Sequence, residues 1–331
     1  MSPNIIPMSD FTPPPGLRNP HVQNIIASTG PRRWLVRRQA RSLLNHSEDV
    51  ILNCGNGVRL LGHINRHPHG AKSLITLLHG WEGSSDSTYV LSAARRLYGE
   101  GHDIFRLNFR DHGDTEHLNR EIFNSTRLSD VTGAMEDIQK RFHYEHYFLS
   151  GFSLGGNFTL RTTIAQHQHN YRIDRAVAIC PVICPLDTMD ALTNGPRIYE
   201  RHFVNQWKRS LSNKTEHFPE YTYRDQLPDM KTLAHINDFF IPGYTPFDDC
   251  DSYFDAYSLK REQLSQIDIP TTIITSEDDP IVRHHMLPRE KLSRHLSLEI
   301  TRFGSHCAYL KNYRLHSWSD DRLSQLLTIS P

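Results

Sequence analysis

Tyr147-Phe148-Leu149-Ser150-Gly151-Phe152-Ser153-Leu154-Gly155-Gly156-Asn157 decides how the rest of the chain is read. Tyr147–Ser150 is apolar and short, as a buried strand is, and a helical pattern runs from Leu154 to about Gln166. Between them lies Gly-x-Ser-x-Gly. A strand that turns straight into a helix forces its corner residue into a strained conformation, which lifts the Ser153 hydroxyl clear of the backbone. Side chains at 151 and 155 would meet neighbouring backbone, so both positions carry glycine. The amides that open the helix point towards any negative charge forming beside Ser153.

Outward from this turn the chain alternates strand and helix. Asp49–Cys54 and Arg59–His67 read as a hairpin around Gly55-Asn56-Gly57. Ser73–Leu78 is a continuous apolar run, as in a strand covered on both faces. Helices are expected at Ser87–Gly99 and Leu128–Phe142, and strands at Asp103–Phe109 and Ala176–Cys180. After a break the rhythm resumes with a strand at Thr271–Thr275, a helix near His284–Leu296, a strand at Leu298–Phe303 and a closing helix. Such alternation predicts an α/β fold with a mostly parallel central sheet and right-handed crossovers. The intervening stretch is aromatic and irregular, and too long for a plain connection. We read residues 1–48 as an irregular N-terminal arm, 49–184 with 268–331 as the core, and 185–267 as a cap inserted over one edge of the sheet.

A serine hydroxyl is a weak nucleophile until a base takes its proton. His306, in Phe303-Gly304-Ser305-His306 after a late strand, is the candidate base among 21 histidines. Its orienting acid falls in Ser276-Glu277-Asp278-Asp279-Pro280-Ile281-Val282, just past a strand end. Asp279 is preferred, because it stands three residues before Val282, and Asp278 is its rival. Acyl transfer also needs donors for a developing oxyanion. His79-Gly80-Trp81-Glu82-Gly83 follows the Ser73–Leu78 strand, so the backbone N–H of Trp81 and that of Leu154 are the candidate pair.

Composition removes several function classes. The 37 Lys+Arg balance 37 Asp+Glu, which argues against a nucleic-acid partner. The longest clearly apolar run is far short of the ~20 residues of a membrane span. With no basic-then-apolar leader at the N-terminus, a cytoplasmic location is expected. Five arginines fall between Pro31 and Arg41; a solvated arm is the reading, with a weak lipid-surface contact through Arg32–Arg41 as the alternative. The five cysteines suggest reduced thiols, and the Cys180/Cys184 spacing does not suit a zinc knuckle. No metal or other cofactor is implied.

These segments together resemble the α/β-hydrolase superfamily, and within it the YheT-like branch, the AB hydrolase 4 family. The resemblance rests on Asn19-Pro20-His21-Val22-Gln23, His79-Gly80-Trp81-Glu82-Gly83-Ser84, Asn108-Phe109-Arg110 and Gly151–Asn157. It also rests on Asn237-Asp238-Phe239-Phe240 to Tyr253, Asp278-Asp279-Pro280 and Gly304–His306, and spans about residues 17 to 315. The order Ser153, Asp279, His306 is that of the superfamily. The resemblance implies a Ser-Asp-His hydrolase acting on small-molecule carboxylic esters. Three positions depart from the family pattern: Trp81 replaces a usual Leu, Asp111 a usual Gly, and Ser305 a frequent Gly. Transfer of the acyl group to an alcohol or thiol would use the same nucleophile. A non-catalytic binding role would be expected to have lost Ser153, His306 or the acid, and all three are present.

Overall fold

The computed structural model describes residues 4–5, 11–290 and 292–328. Its strands are β1 (Asn4–Ile5), β2 (Glu48–Asn53), β3 (Arg59–Asn65), β4 (Ser73–Leu78), β5 (Asp103–Leu107), β6 (His146–Phe152), β7 (Arg175–Ile179), β8 (Thr271–Ser276) and β9 (Leu296–Thr301). They form one sheet in the order β1-β9-β8-β7-β6-β4-β5-β3-β2. From β1 to β5 all neighbours are parallel; the hairpin β2–β3 joins the edge antiparallel. β4, β5 and β8 are buried at every position, as the continuous apolar runs require.

The α-helices are α1 (Pro20–Ser28), α2 (Gly30–Gln39), α3 (Arg41–Asn45), α4 (Thr88–Tyr98), α5 (Leu128–Arg141), α6 (Leu154–Ala165), α7 (Pro185–Asn194), α8 (Arg197–His217), α9 (Leu233–Tyr244), α10 (Cys250–Ala256), α11 (Arg261–Leu264) and α12 (Trp318–Leu326). One apolar cluster joins β4, β5 and β7 to α4 and α12; another joins the opposite face to α5 and α6.

Three sequence expectations are corrected. The N-terminal segment is helical, not irregular. Asn19 caps α1 by accepting from the His21 and Val22 amides, and Pro20 occupies its first turn, where the missing N–H costs nothing. These helices are short and draw their stability from packing; Arg32, expected in solvent, is buried and donates to Ala27 O (2.8 Å) and Leu315 O (3.1 Å). Between β7 and β8 the chain is also helical, α7 to α11, around an apolar cluster of its own that includes Tyr199, Leu211, Tyr223, Leu233 and Phe240. Conversely, the helix expected near His284–Leu296 is only a 3-10 turn at His284–Met286, because Pro288 cannot continue it.

α8 is tied to the sheet by a buried ion pair. Lys214 Nζ donates to Asp111 Oδ1 at 2.8 Å and to carbonyls of Glu116, Asn119 and Glu121. Burial pushes the Asp111 carboxyl up to about 6 even though Lys214 opposes it. Asp111 has φ 59°, in the left-handed region that glycine adopts most readily. Removing one partner of such a pair strands the other charge. Lys214→Met is expected to cost roughly 3–5 kcal/mol in urea unfolding, and Asp111→Asn with Lys214→Met less than the sum of the single changes.

Candidate active site

Ser153 stands at the junction of β6 and α6 with φ 57° and ψ −118°, far from the conformations a serine prefers. Crowding explains the flanking glycines. A Cβ at 151 would lie 2.2 Å from Gly155 O, and one at 155 would lie 2.4 Å from His79 O and 2.5 Å from Leu78 O. β6 is central in the sheet, and the Ser153 amide donates to Ile179 O at 2.9 Å, so the strained turn is fixed from both sides.

The structure brings the three candidate residues together from distant parts of the chain. Ser153 Oγ lies 2.8 Å from His306 Nε2, and His306 Nδ1 lies 2.8 Å from Asp279 Oδ2. The other Asp279 oxygen, Oδ1, accepts the amides of Ile281 (2.8 Å) and Val282 (2.9 Å), which gives the Asp-x-x-Val spacing its physical reason. The Asp279 side chain is fully buried, so its charge acts on His306 with little screening. Burial pulls the His306 imidazole down, but the Asp279 carboxylate outweighs it, with a further contribution from the Cys307 sulfur, and the ring is held up at about 9.

Asp278, the rival acid, does not reach His306 Nδ1. Its Oδ1 accepts the Ser305 amide at 2.8 Å and so shapes the loop that carries the histidine. Ser305, with φ 52°, again occupies a left-handed position where the family frequently has Gly; its hydroxyl donates to Pro20 O and anchors α1 to this loop.

The loop after β4 runs beside Ser153: a Cβ at Gly80 would lie 3.3 Å from Ser153 Cβ. Gly80 N–H donates to Tyr89 Oη (2.9 Å), and Glu82 N–H to His112 Nε2 (3.2 Å). His112 is fixed as acceptor there because its Nδ1–H donates to Arg110 O, and burial holds the ring at about 4, hence neutral. Between these two tethered amides, the N–H of Trp81 meets no acceptor among the described residues, and the same is true of Leu154 N–H at the start of α6. Tyr89 and His112 escaped sequence reasoning, since nothing in their local spacing marks them.

Above Ser153 opens a cavity of about 700 Å³, counted to its solvent-open mouth. Trp81, Leu154, Phe123 and Val182 line it from the sheet side, and Met189, Leu192, Phe203, Trp207, Tyr253, Phe254 and Tyr257 from the helices between β7 and β8. Trp81 stacks on Phe203 (centroids 5.1 Å apart, 8° between planes) and meets Trp207 edge-on. Among the described residues no Asp, Glu, Lys or Arg lines this space; its polar groups come from Asn124, Ser125, Ser153, Thr188 and Asn237.

Known proteins share this architecture. YheT of Escherichia coli (strain K12), a protein named as an esterase, is 26% identical over 97% of this chain and 93% of its own length. Among solved structures, the Pyrococcus furiosus esterase Pf2001 superposes with a TM-score of 0.58 at 16% identity, covering 87% of this chain and 93% of that one. Carboxylesterase CesB (YbfK) from Bacillus subtilis gives 0.54 at 16% identity, covering 92% and 99%. At those identities the two structures speak for the fold. Residues 69–304, well over half of the chain, match the family described as serine aminopeptidase, S33, and the protein therefore belongs to this α/β-hydrolase family.

Proposed function

We propose that the protein hydrolyses carboxylic esters through an acyl-enzyme on Ser153, with His306 as general base and Asp279 as its orienting acid. What supports the reading above all is the unbroken run from Ser153 Oγ through His306 to buried Asp279, at 2.8 Å in each link, set on a strained turn beneath an apolar cavity. In this scheme His306 Nε2 takes the serine proton as Oγ attacks the ester carbonyl. The imidazolium that forms is stabilised by Asp279, and the oxyanion by the N–H groups of Trp81 and Leu154. His306 then returns the proton to the departing alkoxide, and a water activated by the same base releases the acid.

The family description names an aminopeptidase, a reaction that needs a partner for a substrate ammonium. Among the described residues the cavity offers no carboxylate for one, whereas its aromatic walls suit an acyl chain. We assign the helices α7 to α11 as the cap that supplies those walls. Exposed Trp34 with Arg33 and Arg38 is suited to a weak contact with a lipid surface.

The scheme is tested at four points. Ser153→Ala should lower turnover of a p-nitrophenyl ester by about 10⁶ while leaving the circular dichroism spectrum and melting temperature intact; a folded mutant with unchanged turnover overturns the reading. Because only neutral His306 accepts the proton, kcat/KM should rise with pH through an ionisation on the alkaline side of a free histidine, towards about 9. Asp279→Asn should cut kcat by about 10⁴ and move that ionisation down, since the carboxylate is what raises it. Asp278→Asn should act more mildly and leave the midpoint in place; a reversal of the two effects would exchange their roles. Trp81 both lines the cavity and stacks under the cap. Trp81→Leu should shift the optimum of an acyl-length series from short or medium chains to longer ones. The shift should be graded, since each methylene is worth about 1 kcal/mol. Identical profiles would remove Trp81 from specificity.

A further inference from the structure

The scheme above leaves two buried thiols unused directly behind the proposed base. Cys180 follows β7 and Cys307 follows His306; both are buried and neither is in a disulfide. They are 127 residues apart in sequence, the difference of their numbers, yet both face one imidazole. One atom from each residue, the two Sγ atoms and a ring nitrogen of His306, lie within 4.8 Å of one another.

The protein contacts of the sulfurs are weak. Cys180 Sγ lies 3.8 Å from Ser305 O and 3.5 Å from Tyr309 Oη, and Cys307 Sγ lies 3.7 Å from Ile179 O. These are replaceable. Two thiolates and an imidazole are the donor set that zinc and cadmium prefer. In tetrahedral zinc with bonds of about 2.3 Å to sulfur, neighbouring ligand atoms stand roughly 3.7 Å apart, so modest side-chain rotations close the site. The cavity reaches Ser153, whose Oγ is hydrogen-bonded to the His306 ring.

We propose that Cys180, Cys307 and His306 bind one thiophilic divalent cation, zinc or cadmium, and that its binding switches the triad off. The proposal rests on the reading of His306 as the base. No redox change is involved. Each thiol releases its proton to solvent and donates an electron pair to the metal, as does one ring nitrogen, and water completes the tetrahedron. His306 has no spare nitrogen: Nδ1 is engaged with Asp279 and Nε2 with Ser153. Whichever one ligates gives up its present bond, and a metal-bound ring cannot take the serine proton.

Two readouts separate this proposal from the catalytic one. Titrating the purified protein with Cd²⁺ should develop an ultraviolet cadmium–thiolate band that saturates at one ion per chain. Zn²⁺ added to that complex should abolish the band, a measurement that needs no variant. Zn²⁺ alone should inhibit p-nitrophenyl ester turnover, and EDTA should reverse it. Cys180→Ala, checked for folding by circular dichroism, should keep most of the basal turnover, lose the band, and need about 10–100 times more Zn²⁺ for the same inhibition. No band in the wild type, or a zinc sensitivity in Cys180→Ala equal to that of the wild type, overturns the site. A band that forms while turnover continues overturns the coupling to His306. A protein that forms the band but hydrolyses no ester keeps the metal site and discards the ester reading.

Discussion

The fold is organised around one costly corner. Ser153 holds a left-handed conformation, worth roughly 1–3 kcal/mol of strain for a residue with a side chain. It persists because its surroundings leave it no alternative. β6 is hydrogen-bonded on both sides, to β4 and β7, and the opening of α6 lies so near the end of β4 that glycine alone fits at 155. The same closeness puts the loop after β4 beside the serine. Strain, glycine pattern and the position of the Trp81 amide are thus one geometric fact seen from three sides.

Backbone strain recurs around this corner. Glu82, Asp111, Cys180, Ser305, Cys307 and Tyr309 also have positive φ without being glycine. Several of these are held by a specific partner. Glu82 donates its amide to His112 and accepts from Ser210 Oγ at 2.7 Å; Asp111 holds Lys214; Ser305 bonds Asp278 through its amide and Pro20 through its hydroxyl. Where the family commonly spends a glycine, this chain has at two positions a side chain whose hydrogen bonds offset the conformational cost. Both bonds reach outward, one to α8 and one to the N-terminal helices, so the departures from the family pattern strengthen attachment of peripheral elements.

What could be read from sequence follows from how local the determining forces are. The buried strands announce themselves through continuous apolar runs, and the Ser153 corner through glycines that backbone crowding demands. The Asp-x-x-Val spacing by which sequence singles out Asp279 corresponds in the structure to its Oδ1 accepting the amides of Ile281 and Val282. α1 and α2 were not legible: their stability comes from contacts such as Arg32 with Leu315, separated by 283 residues. The helices between β7 and β8 were hidden for a related reason, since their aromatic residues cluster with one another in space without a clean stripe in sequence. The Cys180–Cys307 juxtaposition and the acceptors Tyr89 and His112 depend wholly on the chain being folded.

α8 shows how the polar and apolar halves of the site are joined. Phe203, Trp207, Ser210 and Lys214 recur at spacings of four, three and four residues, which places them along one helix face. The first two meet Trp81 through ring contacts; the last two hold Glu82 and Asp111 through hydrogen bonds. Lifting the Lys214 end exposes a charge pair whose separation costs several kcal/mol, whereas the other end rests on the Phe203 and Trp207 ring contacts together with the hydrogen bonds of Tyr199 to His21 and of Glu200 to the Leu233 amide. One face of a single helix thus reaches both the loop after β4, at Trp81 and Glu82, and the turn after β5, at Asp111, so the apolar wall over Ser153 and the polar contacts beside it are set by the same element.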